Sequence, residues 1–143
     1  MKAQNFIKIN FPSKSVNESF ARSAITAFCT QLDPTVEQAN DIKTAVSEAV
    51  TNCIVHGYKD TFGIVYITAT INNNTITINI ADKGLGIEDV NKAMQPLFTT
   101  DEAGERAGLG FAVMQSFMDT LKVKSMPGKG TRVVMTKIIT SRG

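Results

Sequence analysis

Residues 45–57 read AVSEAVTNCIVHG, a stretch in which an apolar stripe runs beside a line of polar side chains. The apolar residues recur at helical spacing and predict an amphipathic helix with one side in a core. Glu48, Asn52 and His56 follow at four-residue steps, so the helix presents them along one line. That line could be simply the solvated side of the helix. Asn52 argues for more, because mid-helix asparagine has poor helix propensity while its amide oxygen suits a hard cation.

Capping residues predict where the first two helices begin. Asp33 is expected to cap the helix that contains residues 45–57, with Pro34 in its first turn. Ser15 and Glu18 form a capping-box pattern that predicts an earlier helix over residues 16–32.

A third helix is expected to begin near Gly108, after a loop over residues 95–107 with no sustained period. A short helical piece is expected over residues 87–94. Large apolar side chains at helical spacings in the first and third helices are expected in the core rather than at a cofactor. These are Phe20, Phe28, Phe111, Met114, Phe117 and Met118.

Five strands are predicted from alternating apolar residues and runs of Ile, Val and Thr. They cover residues 6–11, 64–71, 75–81, 122–125 and 131–139. The last four form two hairpins, so the expected fold is an α+β sandwich in a single domain over residues 1–143. Its one mixed, mostly antiparallel sheet is expected to have helices on one face and water on at least part of the other.

Composition restricts the function classes. The chain has 143 residues, 43% of them hydrophobic, and a formal charge of +2 with scattered basic residues, so direct nucleic-acid binding is not expected. Lys8 and Pro12 interrupt any export signal, and polar residues interrupt the longest uncharged stretch, which excludes a membrane span. The two cysteines fall in helical patterns and are expected to be reduced and buried. The sequence therefore predicts a cytoplasmic protein.

Asp82, Gly84 and Gly86 form a D-x-G-x-G pattern at the end of a strand. On its own the pattern is typical of a turn with permissive backbone. In the functional interpretation, Asp82 accepts a hydrogen bond from a base amine while the glycines let a ligand approach the backbone.

Gly108, Leu109 and Gly110 are expected to open the third helix. The free amides and the dipole of a helix start suit phosphate oxygens, although the glycines could be simple punctuation.

The order of these motifs resembles the ATP-binding domain of the GHKL superfamily, which includes gyrase, a heat-shock chaperone, mismatch-repair ATPases and histidine kinases. The motifs lie at residues 48–52, 82–86, 104–110 and 130–131. More narrowly, the chain is similar to anti-sigma factors of endospore-forming bacteria that act as serine protein kinases. Residues 17–22, 47–58, 95–100 and 108–119 carry this second resemblance.

The resemblance implies roles for individual residues. Glu48 would be the general base for the acceptor serine, Asn52 the Mg²⁺ ligand, Asp82 the adenine anchor and Thr131 a helper on the adenine side. Residues 95–107 would form a lid over the phosphates of ATP or ADP. The other expected nucleotide contacts are Gly84, Gly86, Thr99, Thr100, Gly108, Leu109 and Gly110.

Two arginines are assigned with alternatives left open. Arg106 is the candidate for the cation that stabilises the transition state, and it equally suits contact with a protein partner. Arg22 is assigned as a partner contact by the resemblance, against the alternative of a solvated charge.

The implied partners are a sporulation sigma factor of the sigma F type, a STAS-type anti-anti-sigma protein as phosphorylation substrate, and a second copy of the chain. Residues 6–11 are the candidate edge strand for that homodimer. A general-stress anti-sigma kinase and a non-catalytic, ATP-gated sigma-binding module are the alternatives. A histidine kinase fragment is disfavoured, because the only histidine, His56, lies inside the nucleotide domain.

Overall fold

The computed structural model describes residues 4–90 and 102–140, with the backbone alone described over residues 102–109. Five strands form one sheet in the order β1-β2-β3-β5-β4, and every neighbouring pair is antiparallel. Their bounds are β1 Asn5–Pro12, β2 Ile64–Asn72, β3 Thr75–Asp82, β4 Thr120–Met126 and β5 Gly130–Ile138. The strands β1 and β4 are therefore the two edges of the sheet.

Three helices cover one face of this sheet. They are α1 (Val16–Cys29), α2 (Val36–Asn52) and α3 (Glu102–Phe117). A 3₁₀ turn, Thr30–Leu32, extends α1, and a π-helical turn, Cys53–Gly57, extends α2. The central helix α2 packs between α1 and α3, and the α+β class expected from the sequence is confirmed.

The core lies between this helical layer and the inward side of the sheet. Alternation along each strand sends every second residue inward, and antiparallel register aligns these residues in rows across the sheet. One such row is Ile9, Ile67, Ile80, Val133 and Val123. The facing stripe of α2 is buried as its spacing predicts, and it consists of Ile42, Ala45, Val46, Ala49 and Val50.

Both predicted helix caps are wrong. Ser15 makes no side-chain cap, because its backbone is already helical, and the Glu18 side chain contacts Arg22 instead. Asp33 takes a left-handed conformation at the end of the 3₁₀ turn. Thr35 caps α2 in its place, with a reciprocal capping box to Gln38.

The start of the third helix is also corrected. The helix α3 begins at Glu102, so residues 102–107 are helical rather than loop. Gly108 and Gly110 consequently lie inside the helix, and the predicted helix start with free amides at Gly108 is wrong. The short helical piece expected over residues 87–94 does not begin at residue 87, since residues 87–89 are not helical and Val90 is the first helical residue. Residues 91–101, which include Thr99 and Thr100, lie outside the described residues.

Two of the predicted core aromatics are not in the core. Phe20 is 61% exposed on α1, and Phe117 is 36% exposed at the end of α3. Phe111, Met114 and Met118 are buried as expected. Helical spacing alone does not distinguish the two outcomes, because α1 and α3 each have only one side against the sheet and α2.

Candidate functional site

The site follows α2 from its last two turns into the π-helical turn. Glu48 and Asn52 lie one turn apart on its half-buried side, where α3 crosses it at Gly110. A Cβ atom at position 110 would lie 3.1 Å from Asn52 Nδ2 and 3.2 Å from Glu48 Oε2. Glycine therefore allows α3 to pass directly over both polar side chains.

Glu48 sits in an environment that favours its protonated form. Burial raises the pKa of the Glu48 carboxyl, and the neighbouring carboxylate of Glu18 on α1 raises it further. A carboxyl with a raised pKa is a better proton acceptor at neutral pH than an ordinary surface glutamate.

Glu18 also connects Arg22 to this part of the site. The Arg22 Nε atom lies 3.5 Å from Glu18 Oε2, and both atoms are buried without a hydrogen-bond partner among the described residues. Arg22 thus joins a chain of charges that runs from the surface of α1 to Glu48. The sequence alone gave no sign of this connection.

Asn52 fits the role of a ligand to Mg²⁺. Its Nδ2 atom is buried and has no hydrogen-bond partner within the described part of the chain, so the donor end of the amide is not committed to a structural bond. The described residues contain no cluster of three or more His, Cys, Asp or Glu residues that could enclose a metal ion by themselves. An amide oxygen beside a carboxylate suits a Mg²⁺ ion that takes its remaining ligands from water and phosphates.

Asp82 forms the other end of the site, at the last residue of β3. It is only 6% exposed and packs so closely against Gly57 that a Cβ atom there would lie 2.6 Å from the carboxylate. Burial raises its pKa, although hydrogen bonds from the Gly84 amide, the Cys53 thiol and the Thr131 amide act in the opposite direction. A buried carboxylate with defined donors around it can hold a ligand amino group in one orientation.

Thr131 lies beside Asp82 as its direct partner across β3 and β5. Its hydroxyl lies 2.8 Å from Ser125 Oγ, which also accepts a hydrogen bond from the Ile87 amide at 2.7 Å. Ser125 therefore fixes both Thr131 and the segment after the glycines.

The glycines of D-x-G-x-G are required by close approaches between backbones. A Cβ atom at Gly84 would lie 1.9 Å from the carbonyl oxygen of Gly57, and the Leu85 amide donates to that same oxygen at 2.8 Å. Gly86 has a φ of +76° and lies against the Met126 carbonyl. The loop is thereby joined to the π-helical turn of α2 on one side and to β4 on the other.

Tyr58 and Cys53 are contacts of the site that sequence reasoning missed. The Tyr58 hydroxyl accepts a hydrogen bond from the Lys83 amide at 2.7 Å and donates to the Ile64 carbonyl at 2.6 Å. Cys53, interpreted from the sequence as packing only, holds Asp82 through its thiol. The π-helical turn is visible in the structure but has no pattern in the sequence that predicts it. Such turns frequently mark functional sites.

The structure thus brings Glu48, Asn52 and Gly110 together, and it places Asp82, Gly84 and Thr131 at the next turn of the same helix. His56 lies in the π-helical turn between these two ends. Arg106, Gly108 and Leu109 lie within α3, and the side chains of Arg106 and Leu109 are outside the described part of the chain.

Comparison with known proteins defines the class of this domain. A blue-light activated histidine kinase of Erythrobacter litoralis superimposes with a TM-score of 0.57 over 82% of the chain. At 22% sequence identity this likeness concerns the fold alone, and the chain spans 40% of the length of that kinase. The family model described as "Histidine kinase-like ATPase domain" matches residues 11–137, so fold and site define a domain of this class.

Curated relatives specify the family within the class. An anti-sigma F factor of a Thermoanaerobacter species is 62% identical over 99% of both chains. Anti-sigma F factors of Clostridium kluyveri and Clostridium beijerinckii are 53% and 54% identical, over 96% and 94% of the chain and 96% and 95% of the relatives. The chain belongs to the anti-sigma F factor family, and membership in an ATPase-domain class implies a nucleotide-binding site. None of the helices in the described residues has the length and hydropathy needed to cross a bilayer.

Proposed function

We propose that the protein is a Mg²⁺-dependent serine kinase and an anti-sigma factor that works in the cytoplasm. It transfers the γ-phosphoryl group of ATP to a serine of a STAS-type anti-anti-sigma protein and leaves ADP. With ATP bound it holds a sporulation sigma factor of the sigma F type inactive, and the unphosphorylated STAS protein displaces that factor. Its family membership and the order of its motifs support this assignment.

The observation that carries the kinase proposal is the pair of Glu48 and Asn52 beneath Gly110. When the serine oxygen attacks the γ-phosphorus, its proton has to leave, and the Glu48 carboxylate accepts that proton. The raised pKa of Glu48 makes it suited to this task. A module that only bound nucleotide would have no need of a half-buried carboxylate one turn before the metal ligand.

Nucleotide binding is assigned along the same helix. Asp82 accepts a hydrogen bond from the adenine amino group, with Thr131, Gly84 and Gly86 around it. When bound, Mg²⁺ neutralises phosphate charge, and Asn52 would hold it through the amide oxygen. On the phosphate side the predicted contacts are Thr99, Thr100, Gly108, Leu109 and Gly110, with Arg106 as transition-state cation or partner contact.

The partner surface is assigned to α1. Val16 and Phe20 are 75% and 61% exposed on this helix, which is more apolar surface than a helix facing only water needs to show. Arg22 adds a charge whose guanidinium is held beside Glu18. A homodimer is assigned to β1, which is an edge strand with free backbone groups along one side.

Incubation with labelled Mg-ATP and the cognate STAS-type protein tests the proposal. The wild-type protein should place acid-stable label on serine, and Glu48→Gln should lose it by at least about a hundredfold, since general-base catalysis contributes about 10²- to 10⁴-fold. Nucleotide and sigma-factor binding should be unchanged in this variant. Glu37→Gln is the matched control, because Glu37 lies exposed in the first turn of the same helix.

Undiminished phosphorylation by Glu48→Gln would refute Glu48 as the base. Tight nucleotide and sigma-factor binding by the wild type without any transfer to serine would instead identify an ATP-gated binding module.

A further inference from the structure

The face of the sheet opposite the helices carries a concentration of positive charge. Antiparallel register aligns its outward residues in rows that cross all five strands. One row is Asn10, Tyr66, Ala81, Arg132 and Lys124, and the next is Lys8, Thr68, Asn79, Val134 and Lys122. Lys83 and Lys129 adjoin these rows from the loops. We call the surface formed by Lys8, Lys83, Lys124, Lys129 and Arg132 the basic face; these five residues line an open cavity of about 560 Å³.

Within the five strands, no exposed acid balances the charge of the basic face. None of the outward positions of the five strands, all of which are described, carries a carboxylate. Among the described residues that line the cavity, Asp82 is the one acid, and it is 6% exposed and accepts hydrogen bonds from Cys53 and Gly84. The formal charge of only +2 for the whole chain does not reveal this local concentration of positive charge.

Two of the cations oppose each other directly. Lys124 and Arg132 are partners across β4 and β5, and like charges in directly opposite positions destabilise a sheet. Arg132 is held in place by its hydrogen bond to Asn79 Oδ1 at 3.1 Å rather than by an acid. An anionic partner would relieve this repulsion, so the geometry favours a bound ligand with several negative charges.

We propose that the basic face docks an acidic segment of a protein partner. Charge complementarity supports an anionic partner, and one observation favours polypeptide over nucleic acid. Lys83 lies 5.1 Å above the centre of the Tyr66 ring, which leaves this ring covered rather than free to stack on a nucleic-acid base. A second copy of the chain docked face to face is disfavoured, because its own basic face would repel this one. The surface lies on the side of the sheet away from α1, so it is separate from the partner surface proposed above.

The test measures binding of a fluorescent peptide of about ten glutamates by anisotropy, over salt concentrations from about 0.05 to 0.3 M. The wild type should bind it, more weakly as salt rises. The double variant K124Q/R132Q should bind at least about tenfold more weakly, whereas K14Q/K43Q should stay within about twofold. The control variant also removes two positive charges, from Lys14 just before α1 and from Lys43 on α2, and both lysines are exposed.

The same variants separate docking from a structural role. K124Q/R132Q should melt no lower than wild type, because it removes a repulsive pair. A lower melting temperature, or equal loss of peptide binding in both double variants, would overturn the proposal. So would tighter binding of an oligothymidylate of equal charge, which would indicate nucleic acid, or a change of oligomeric state in K124Q/R132Q, which would indicate a contact between copies.

Discussion

At the scale of single residues, the site contains two carboxyl groups whose pKa values are raised by burial. Glu48 and Asp82 both have raised pKa values, and in both the first cause is loss of water around the carboxyl group. The negative charge of Glu18 raises the pKa of Glu48 further. Three hydrogen-bond donors around Asp82 lower its pKa and so offset part of the effect of burial. Glu48 on α2 and Asp82 at the end of β3 thus have different surroundings, which suit the different tasks proposed for them, proton acceptance and ligand orientation.

The raised pKa of Asp82 predicts a pH-dependent stability difference between wild type and Asp82→Asn without nucleotide. Below the ordinary aspartate pKa both the folded and the unfolded wild type hold the proton. As pH rises, the unfolded chain loses its proton first, so the wild type loses stability relative to the variant until folded Asp82 has ionised as well. The variant-minus-wild-type difference in unfolding free energy should therefore increase as the pH rises from about 4, the ordinary aspartate pKa, towards neutrality.

Urea denaturation of both proteins across this pH range measures the difference, in which all other titrating groups cancel. A difference that stays constant, or that decreases with pH, would show that burial of Asp82 does not favour its protonated form.

At the scale of elements, the layers are joined by contacts between residues far apart in sequence. Lys137 on β5 is directed inward at a position where its neighbours are apolar, and only 9% of it is exposed. Its Nζ atom donates to the Phe117 carbonyl at the end of α3 and lies 3.4 Å from Asp41 Oδ2 on α2. One lysine thus caps one helix and holds a second helix against the sheet.

Lys137→Met should destabilise the protein by about 1 to 3 kcal/mol. The substitution keeps most of the volume but leaves the Phe117 carbonyl and the Asp41 carboxylate without this donor. Lys43→Met is the matched control on the surface of α2 and should change stability by less than about 0.5 kcal/mol. Chemical denaturation of the two variants gives the comparison, and equal effects would argue against a special role for Lys137.

The elements were predicted from sequence more accurately than their ends and contacts. Alternation identified all five strands, because each has one side in the core and one in water. The cap of α2 was misplaced by two residues, because Thr35 and Asp33 are both good capping residues and only the 3₁₀ turn decides between them. Tyr58 was missed for a different reason: its hydrogen bond to Lys83 joins residues 25 positions apart, and no local pattern predicts it.

At the scale of the whole molecule, a nucleotide at this site would contact the sheet, α2 and α3 together. Asp82 belongs to β3, Asn52 to α2 and Gly110 to α3, so a ligand that spans them binds only the folded chain. Ligands of this kind raise stability by mass action, by about 2.7 kcal/mol when the free ligand is at a hundred times its dissociation constant.

Mg-ATP should therefore raise the melting temperature of the wild type more than ATP with a chelator does. In Asn52→Ala the additional effect of Mg²⁺ should disappear, since the amide oxygen assigned to the metal is gone, while Asn40→Ala on the exposed side of α2 should behave as wild type. Thermal melts with calorimetric titration provide the measurement. An unchanged Mg²⁺ effect in Asn52→Ala would remove this residue as the ligand.

The two cysteines determine how the protein can be labelled. Both are buried, and burial raises the pKa of Cys29 to about 12 and also raises that of Cys53. Because only the thiolate reacts with maleimides, the folded chain should stay unmodified at neutral pH. A fluorophore attached to one cysteine introduced on the basic face or on α1 would therefore report from that surface alone, without prior removal of the native thiols.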